Sequence, residues 1–229
     1  MTTSEPEPKP RPRTIVYVDG FNLYYRLRKT PFKWLDLGAM FRGLLHDHDI
    51  VGIRYCTARV KELPDNPGVA ARQEAYLAAL RSVPGLSIHY GKFRADKKYA
   101  RLVNPPPPPD PPTVLVHKFE EKGSDVNLAT LMLVDAFDQA CDASVLVSND
   151  SDLVLPLSLL GSRFGQTIGL VNPWDAPPNR ELLATRPTII RRIRDGLLAA
   201  SQFDSPLIVG NRTLHRPAAW PAPPRPVGT

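Results

Sequence analysis

The chain has 229 residues, and 42% of them are hydrophobic, which is enough for the core of one domain of ordinary size. The formal net charge of +6 favours a polyanionic partner. No apolar stretch suits a signal peptide or a membrane helix, so we expect a cytoplasmic protein without a membrane partner. Cys56 and Cys141 match no zinc spacing and lie in apolar segments, so we expect buried, reduced thiols.

In chain order, hydrophobic periodicity predicts a strand at 14–18, helices at 22–29 and 35–45, a strand at 51–57, a helix at 68–83, a strand at 86–90, an extended segment at 114–119, a helix at 125–140, a strand at 143–148, a helix at 152–164, a strand at 167–171 and a helix at 189–200. Strands that alternate with helices indicate an α/β fold. We therefore expect a three-layer α/β/α sandwich with a mostly parallel central sheet.

Sixteen of the 26 prolines lie in three short stretches. Proline-rich chain favours extended conformations and cannot join the interior of a sheet. We therefore expect a disordered leader at residues 1–13, an exposed insert at residues 104–112 and an extended basic tail at residues 201–229. Such segments are commonly spacers or covering loops, but they can also recruit a protein partner of the SH3 kind.

Acidic residues follow the apolar runs at two places. Asp19 ends the first predicted strand, and Asp150 and Asp152 follow a later one, while Asp125 begins the strongest predicted helix. In parallel sheets the carboxyl ends of the strands meet at one edge, where binding sites form. Carboxylates that converge there repel each other unless a cation lies between them. Each Asp can instead simply cap the helix or turn that follows it, and the residues alone leave both readings open.

Asp135 lies ten residues after Asp125 in the same predicted helix. It would therefore be about 15 Å along the axis, which is too far to share one metal ion. We expect Asp135 to lie at the surface or to support the site indirectly.

Other catalytic signatures are missing from the sequence. It contains no GxxxxGK[ST] phosphate loop, no GxGxxG dinucleotide motif and no GxSxG nucleophile elbow.

Three segments in this order, VYVDGFNLYY, EEKGSDVNLA and VSNDSDL, resemble the NYN domain, a branch of the PIN-like nuclease superfamily. The resemblance spans residues 14–200. It implies a PIN-like sandwich and a metal-dependent ribonuclease that uses Mg²⁺ or Mn²⁺. By motif position it assigns the catalytic and metal-binding roles to four aspartates: Asp19, Asp125, Asp150 and Asp152.

RNA, single-stranded or structured, is the substrate that this resemblance implies. The candidate substrate-binding residues are Asn22, Lys122, Ser148 and Arg26, and the basic tail is a further candidate for phosphate contacts. The alternative is a non-catalytic RNA-binding or adaptor module that kept the fold. If the protein is a nuclease, loss of the aspartates would abolish catalysis. If it is a binding module, RNA binding would survive their loss.

Overall fold

Strands and helices alternate along most of the chain in the computed structural model, which describes residues 10–62 and 66–222. In chain order the elements are β1 (Arg13–Asp19), α1 (Gly20–Leu27), α2 (Leu37–Leu44), β2 (Asp49–Thr57), α3 (Val69–Leu80), β3 (Leu86–Tyr90), β4 (Lys92–Arg101), β5 (Thr113–Lys122), α4 (Ser124–Phe137), β6 (Ala143–Val147), a 3-10 turn (Ser151–Leu153), α5 (Val154–Ser162), β7 (Thr167–Asn172), α6 (Arg180–Ala184), β8 (Ile189–Arg192), α7 (Asp195–Ala200), β9 (Leu207–Val209) and β10 (Arg212–Leu214).

Six strands form the central sheet in the order β3-β2-β1-β6-β7-β8. Every neighbouring pair in this sheet is parallel. The first strand lies in the middle, and residues 14–19 are all buried. The residues of a central parallel strand are covered on both faces, which explains why its sequence is almost continuously apolar.

Two helical layers cover the sheet, because successive strand residues point to opposite faces. Val16 and Val18 pack in one cluster with residues of α1, α2, α3 and α7. Ile15 and Tyr17 pack in the other cluster with residues of α4, α5 and α6. The expected three-layer α/β/α sandwich is confirmed.

The prediction of one helix at 189–200 is wrong. Residues Ile189–Arg192 form β8, which pairs with β7, and α7 begins only at Asp195. The segment opens with two β-branched residues, Ile189 and Ile190, which favour a strand when a sheet edge is available to pair with.

Strand β4 was not predicted, because its sequence KFRADKKYAR is largely charged and lacks a strong apolar alternation. It pairs over its whole length with β5 in a two-stranded antiparallel hairpin that is separate from the central sheet. The proline-rich insert, residues 104–112, joins the two strands, and nearly all of its residues are exposed. Residues 1–9 of the predicted leader lie outside the described residues.

The predicted extended tail is partly folded. Residues 207–214 form the antiparallel pair β9 and β10, and Trp220 packs edge-on against Trp34 and Tyr76. This part of the tail is therefore paired or packed against the domain. Residues 223–229 lie outside the described residues.

Both cysteines are free and buried, as expected. Among the described helices, none combines the length and the apolar character needed to cross a membrane.

Candidate active site

The strand order changes direction between β1 and β6, which are neighbours in the middle of the sheet. In open parallel sheets the connections diverge at such a point and leave a crevice beyond the carboxyl ends of the strands. Asp19 is the last residue of β1, and Ser148, Asn149 and Asp150 follow β6 directly. Two of the predicted acidic motifs therefore meet at this crevice.

Asp19 is held rigidly at the crevice and is only 5% exposed. Its Oδ1 accepts a hydrogen bond from the backbone N–H of Asn22 at 2.9 Å, and its Oδ2 accepts one from the Ser148 hydroxyl at 2.9 Å. The first of these bonds caps α1. Capping and a place in the acidic site are therefore compatible roles for one carboxylate.

Asp150 is positioned by the same serine. Its backbone N–H donates to the Ser148 hydroxyl at 3.1 Å, and its Oδ1 accepts from the backbone N–H of Asp152 at 3.0 Å. Asp152 is exposed and lies outside the compact group of carboxylates. The SNDSD segment therefore directs one carboxylate into the crevice and leaves the second near its rim.

Asp125 reaches the crevice from the first turn of α4. Gly123 precedes this helix with φ of 92°, a left-handed conformation that glycine adopts without strain, so the chain turns sharply out of β5. The Glu121 carboxylate accepts from the backbone N–H and the hydroxyl of Ser124 at 2.9 and 2.6 Å, which fixes the start of the helix.

Asp19, Asp125 and Asp150 form one cluster, in which one carboxylate oxygen from each lies within 4.8 Å of the others. Hard divalent cations prefer oxygen ligands of this kind. The arrangement is therefore suited to bind a divalent metal ion.

Repulsion and burial shape the charge of this cluster. Burial and the charges of Asp19, Asp150, Glu121 and Asp152 raise the pKa of Asp125 to about 6. Burial also raises the pKa of Asp19, although the hydrogen bonds from Asn22 and Ser148 oppose that rise. A position at a helix N-terminus normally favours the charged carboxylate, so at Asp125 burial and like charges outweigh the helix dipole.

Glycine is required at position 20 because the start of α1 packs closely against strand β2. A Cβ at this position would lie 2.7 Å from the Cys56 carbonyl oxygen and 2.8 Å from Cζ of Tyr55. Strand β2 therefore fills the space that a side chain at this position would need. Burial, with the nearby carboxylates, raises the pKa of Cys56 to about 12, so its thiol is not a nucleophile at neutral pH.

The cluster lies in a cleft with a volume of about 1070 Å³. Three cationic side chains, Arg28, Lys33 and Arg72, line the same cleft. Its walls are rich in aromatic rings: Phe21, Tyr24, Tyr25, Tyr55, Tyr76, Phe93, Phe119, Trp174 and Trp220. A site with carboxylates, cations and aromatic faces suits a ligand that is both anionic and aromatic.

The four predicted substrate-binding residues lie in different surroundings. Asn22 lines the cleft, where its Oδ1 accepts from the Trp174 indole at 2.8 Å, but Ser148 is buried beneath the carboxylates. Lys122 is exposed and pairs with Glu120 at 3.7 Å. It is not among the residues that line the cleft.

Arg26 is committed to an ion pair. Its guanidinium is 2.6 Å from an Asp195 oxygen and 3.4 Å from an Asp175 oxygen, and its side chain is only 9% exposed. We therefore do not retain Arg26 as a contact to phosphate. Its position on α1 did not reveal these partners, because Asp175 comes from the loop after β7 and Asp195 begins α7.

Asp135 takes part in a separate polar group. Its carboxylate accepts from Arg54 at 3.0 and 3.2 Å and from the Tyr17 hydroxyl at 3.1 Å. It does not belong to the acidic cluster, as its spacing from Asp125 predicts.

Several cleft residues were missed by the sequence analysis. Glu121 lies in the EEKGSD motif, but the strand before it was expected to end at residue 119. Phe93 lies on the unpredicted strand β4, and Trp174 comes from the loop after β7. The loop after β7 carries no local signal for proximity to residues 150 positions away.

The match to the family model for the NYN domain covers residues 13–185, which is most of the chain. The chain belongs to the NYN domain family. Its acidic cluster takes one aspartate from each of the three segments that resemble this family, and all three lie within the matched residues.

The chain is similar in sequence to one characterised protein and in fold to one solved structure. It is 30% identical over 235 aligned residues to a 6-hydroxy-3-succinoylpyridine 3-monooxygenase of Pseudomonas putida, covering 91% of this chain and 75% of the relative. Its fold is similar to the crystal structure of a protein of unknown function from Vibrio parahaemolyticus, with a TM-score of 0.52 and 17% identity over 82% of this chain and 97% of the other.

Proposed function

We propose that this protein is a divalent-metal-dependent ribonuclease that hydrolyses RNA phosphodiester bonds at the acidic cluster. One observation carries the proposal: Asp19, Asp125 and Asp150, from three separate segments, bring carboxylate oxygens within 4.8 Å of one another. Membership of the nuclease-like NYN family supports the same reading.

The donor set fits Mg²⁺ or Mn²⁺. All three groups are carboxylates, and the described residues add no histidine or thiolate to the cluster. Oxygen-only sites of this kind favour hard cations over zinc or copper. When bound, such an ion polarises the scissile phosphate and activates the attacking water.

Each residue has a role that follows from its contacts. Asp19 is a fixed ligand, because two hydrogen bonds orient both of its oxygens. Asp125 must lose its proton before it can bind a cation, since its pKa is about 6 in the metal-free protein. Asp152 is exposed and adds negative potential at the rim.

The substrate backbone is held by the cleft cations. Arg28, Lys33 and Arg72 line the same cleft as the acidic cluster and can contact phosphates on either side of the scissile bond. They replace Arg26 in this role, because Arg26 already pairs with two carboxylates.

The test is cleavage of labelled single-stranded and hairpin RNA in Mg²⁺, Mn²⁺ or EDTA. We expect metal-dependent cleavage by the wild type, and a loss of at least about 100-fold in Asp125→Asn and Asp150→Asn. The matched control is Asp138→Asn, the same substitution about 20 Å from Asp125 along the same helix. RNA binding without any cleavage would favour the adaptor alternative.

The cleft also supports a second candidate, the oxidative conversion of a hydroxylated pyridine that carries a carboxylate. A relative with 30% identity over 91% of this chain is named as a monooxygenase for 6-hydroxy-3-succinoylpyridine. Aromatic walls with three cations suit the ring and the carboxylate of such a compound.

A monooxygenase consumes O₂ and a two-electron donor together with its substrate, so the second candidate has its own assay. The purified protein is mixed with 6-hydroxy-3-succinoylpyridine and a reduced nicotinamide, and O₂ uptake is recorded. Substrate-dependent uptake that Arg72→Ala weakens would favour this candidate. RNA cleavage without any O₂ uptake would exclude it.

A further inference from the structure

The β4–β5 hairpin presents two different faces. Directly opposed residues of an antiparallel pair share a face, and alternate residues along each strand change face. One face, here called the cleft face, carries Phe93, Ala95, Lys97, Tyr99 and Arg101 opposite Glu121, Phe119, His117, Leu115 and Thr113. The other, here called the outer face, carries Lys92, Arg94, Asp96, Lys98 and Ala100 opposite Lys122, Glu120, Lys118, Val116 and Val114.

The cleft face is continuous with the proposed active site. Phe93, Phe119 and Glu121, all at the base of this face, line the cleft that holds the acidic cluster. No residue of the outer face lines it, among the residues that the structure describes. From Phe93 to Arg101 the strand extends roughly 27 Å away from the cleft.

A row of ring systems runs along the cleft face. The rings of Phe93 and Phe119 are stacked with centroids 6.3 Å apart, and His117 stacks on Phe119 at 6.1 Å. Tyr99 and Leu115 follow further out, and their exposed fractions are 69% and 51%. Rings that are exposed on such a hairpin contribute little to the core and are available for contact with another molecule.

The hairpin carries a net positive charge, which favours an anionic partner. Residues 92–122 contain seven Lys and Arg against four Asp and Glu, which is half of the net charge of +6 on the whole chain. On the outer face, Arg94, Lys118 and Lys122 each pair with a carboxylate of that face. Lys97 and Arg101 of the cleft face form no salt bridge within the described part of the chain, and both are exposed.

We propose that the cleft face of the hairpin is a binding track for single-stranded RNA, which it guides into the acidic cluster. Unpaired bases stack on the ring row, and Lys97 and Arg101 contact the phosphates between them. A duplex hides its base faces, so the track prefers single strands. This inference rests on the proposed ribonuclease function, and it names the substrate class and the surface that selects it.

The test is binding of a fluorescent single-stranded RNA of about twelve nucleotides, measured by anisotropy in EDTA over a range of salt concentrations. Lys97→Ala and Lys98→Ala remove the same charge from adjacent, exposed positions on opposite faces. We expect Lys97→Ala to weaken binding and to reduce the slope of log K against log salt by about 0.7. Lys98→Ala should change both quantities much less.

A second pair of variants tests stacking. We expect Tyr99→Leu to weaken single-strand binding roughly tenfold, because base–aromatic stacking is lost, and Tyr99→Phe to retain it. Binding of the same sequence as a duplex should be weaker for the wild type and insensitive to Tyr99→Leu. Unchanged melting temperatures would show that the exposed substitutions leave the fold intact.

Three results would overturn the proposed track. The first is an equal loss of RNA affinity in Lys97→Ala and Lys98→Ala, and the second is no binding of single-stranded RNA by the wild type. The third is a wild-type dimer in analytical ultracentrifugation that becomes a monomer in Tyr99→Leu, because the exposed ring would then serve dimerisation. Because binding is measured in EDTA, it is independent of cleavage. If the wild type cleaves RNA but Lys97→Ala and Lys98→Ala bind RNA equally well, the binding track is rejected and the ribonuclease function is kept. If the variants bind as expected but the wild type cleaves no RNA, hydrolysis is rejected and the track is kept.

Discussion

Asp125 illustrates how the surroundings of one residue decide its charge. In the sequence it is an acid at the start of a helix, a position that stabilises the carboxylate. In the structure it is half-buried and faces four other acids, and its pKa rises to about 6. The same repulsion that raises this pKa provides the driving force for binding a cation.

The stability of the metal-free protein should therefore depend on pH. The pKa of Asp125 is about 6 in the folded protein against an ordinary value of 3.8, so in this window the folded state binds more protons than the unfolded state. Its contribution to the free energy of unfolding therefore falls as pH rises from about 4 to about 6. Melting temperatures in EDTA across this range would measure the effect.

Asp125→Asn provides the comparison for this pH dependence. The amide does not titrate, so the variant should show a flatter pH profile and exceed the wild type in melting temperature at neutral pH without metal. A variant that is less stable than the wild type under these conditions would contradict the shared acidic cluster.

Ser148 supports the cluster without facing the substrate. Its hydroxyl donates to the Asp19 carboxylate and accepts from the backbone N–H of Asp150, so it links two of the three aspartates. We expect Ser148→Ala to weaken metal binding about 10- to 100-fold, as for other residues that orient metal ligands. Calorimetric titration with Mn²⁺ would measure the change.

A matched control lies on the preceding strand. Ser144 is fully buried and belongs to β6, but its hydroxyl contacts Gln166 and Cys141 instead of the cluster. Ser144→Ala should lower stability and leave the affinity for Mn²⁺ unchanged. Equal losses of affinity in both variants would mean that Ser148 acts only through the stability of the sheet.

At the scale of elements, the hairpin and the last part of the chain differ most from the expectation. Both faces of strand β4 are largely exposed, and its sequence is highly charged. It therefore lacks the alternation of apolar and polar residues by which a half-buried strand is recognised. The segment at residues 189–200 contains a strand and a short helix, and its apolar positions are also compatible with one helix. Pairing with β7 decides between the two.

The proline-rich insert should be dispensable for folding. Residues 104–112 are mostly exposed, and the ladder between β4 and β5 ends at Arg101 and Thr113. Replacing the insert by a short Asn-Gly turn should change the free energy of unfolding by less than about 0.5 kcal/mol. Urea denaturation would measure it, and a larger loss would show that the insert packs on the domain.

At the scale of the whole molecule, the tail contributes to both core and cleft. Trp220 lies 186 residues after Trp34 and 144 residues after Tyr76 in the sequence. In the folded chain its ring packs on both of these rings and lines the cleft. Lys33 lies 5.7 Å from its ring, so the tail also covers one of the cleft cations.

Removing this side chain should therefore affect stability. We expect Trp220→Ala to lower the free energy of unfolding by about 1–3 kcal/mol, because a half-buried ring and two aromatic contacts are lost. His215→Ala, an exposed position in the same segment, should have little effect. Similar stability of both variants in urea denaturation would show that the tail does not contribute to the core.

The sequence by itself determined the alternation of strands and helices, the layered sheet and the positions of Asp19 and Asp150 at strand ends. These features follow from local periodicity, because the spacing of apolar residues along the sequence shows which face of each helix or strand is buried. The resemblance of the three segments also assigned Asp125 to the same site. Only the tertiary structure decided that Arg26 is paired and that Trp174 and Trp220, from distant loops, line the cleft. Such contacts join residues more than 100 positions apart, and strand order, which no local pattern records, brings them together.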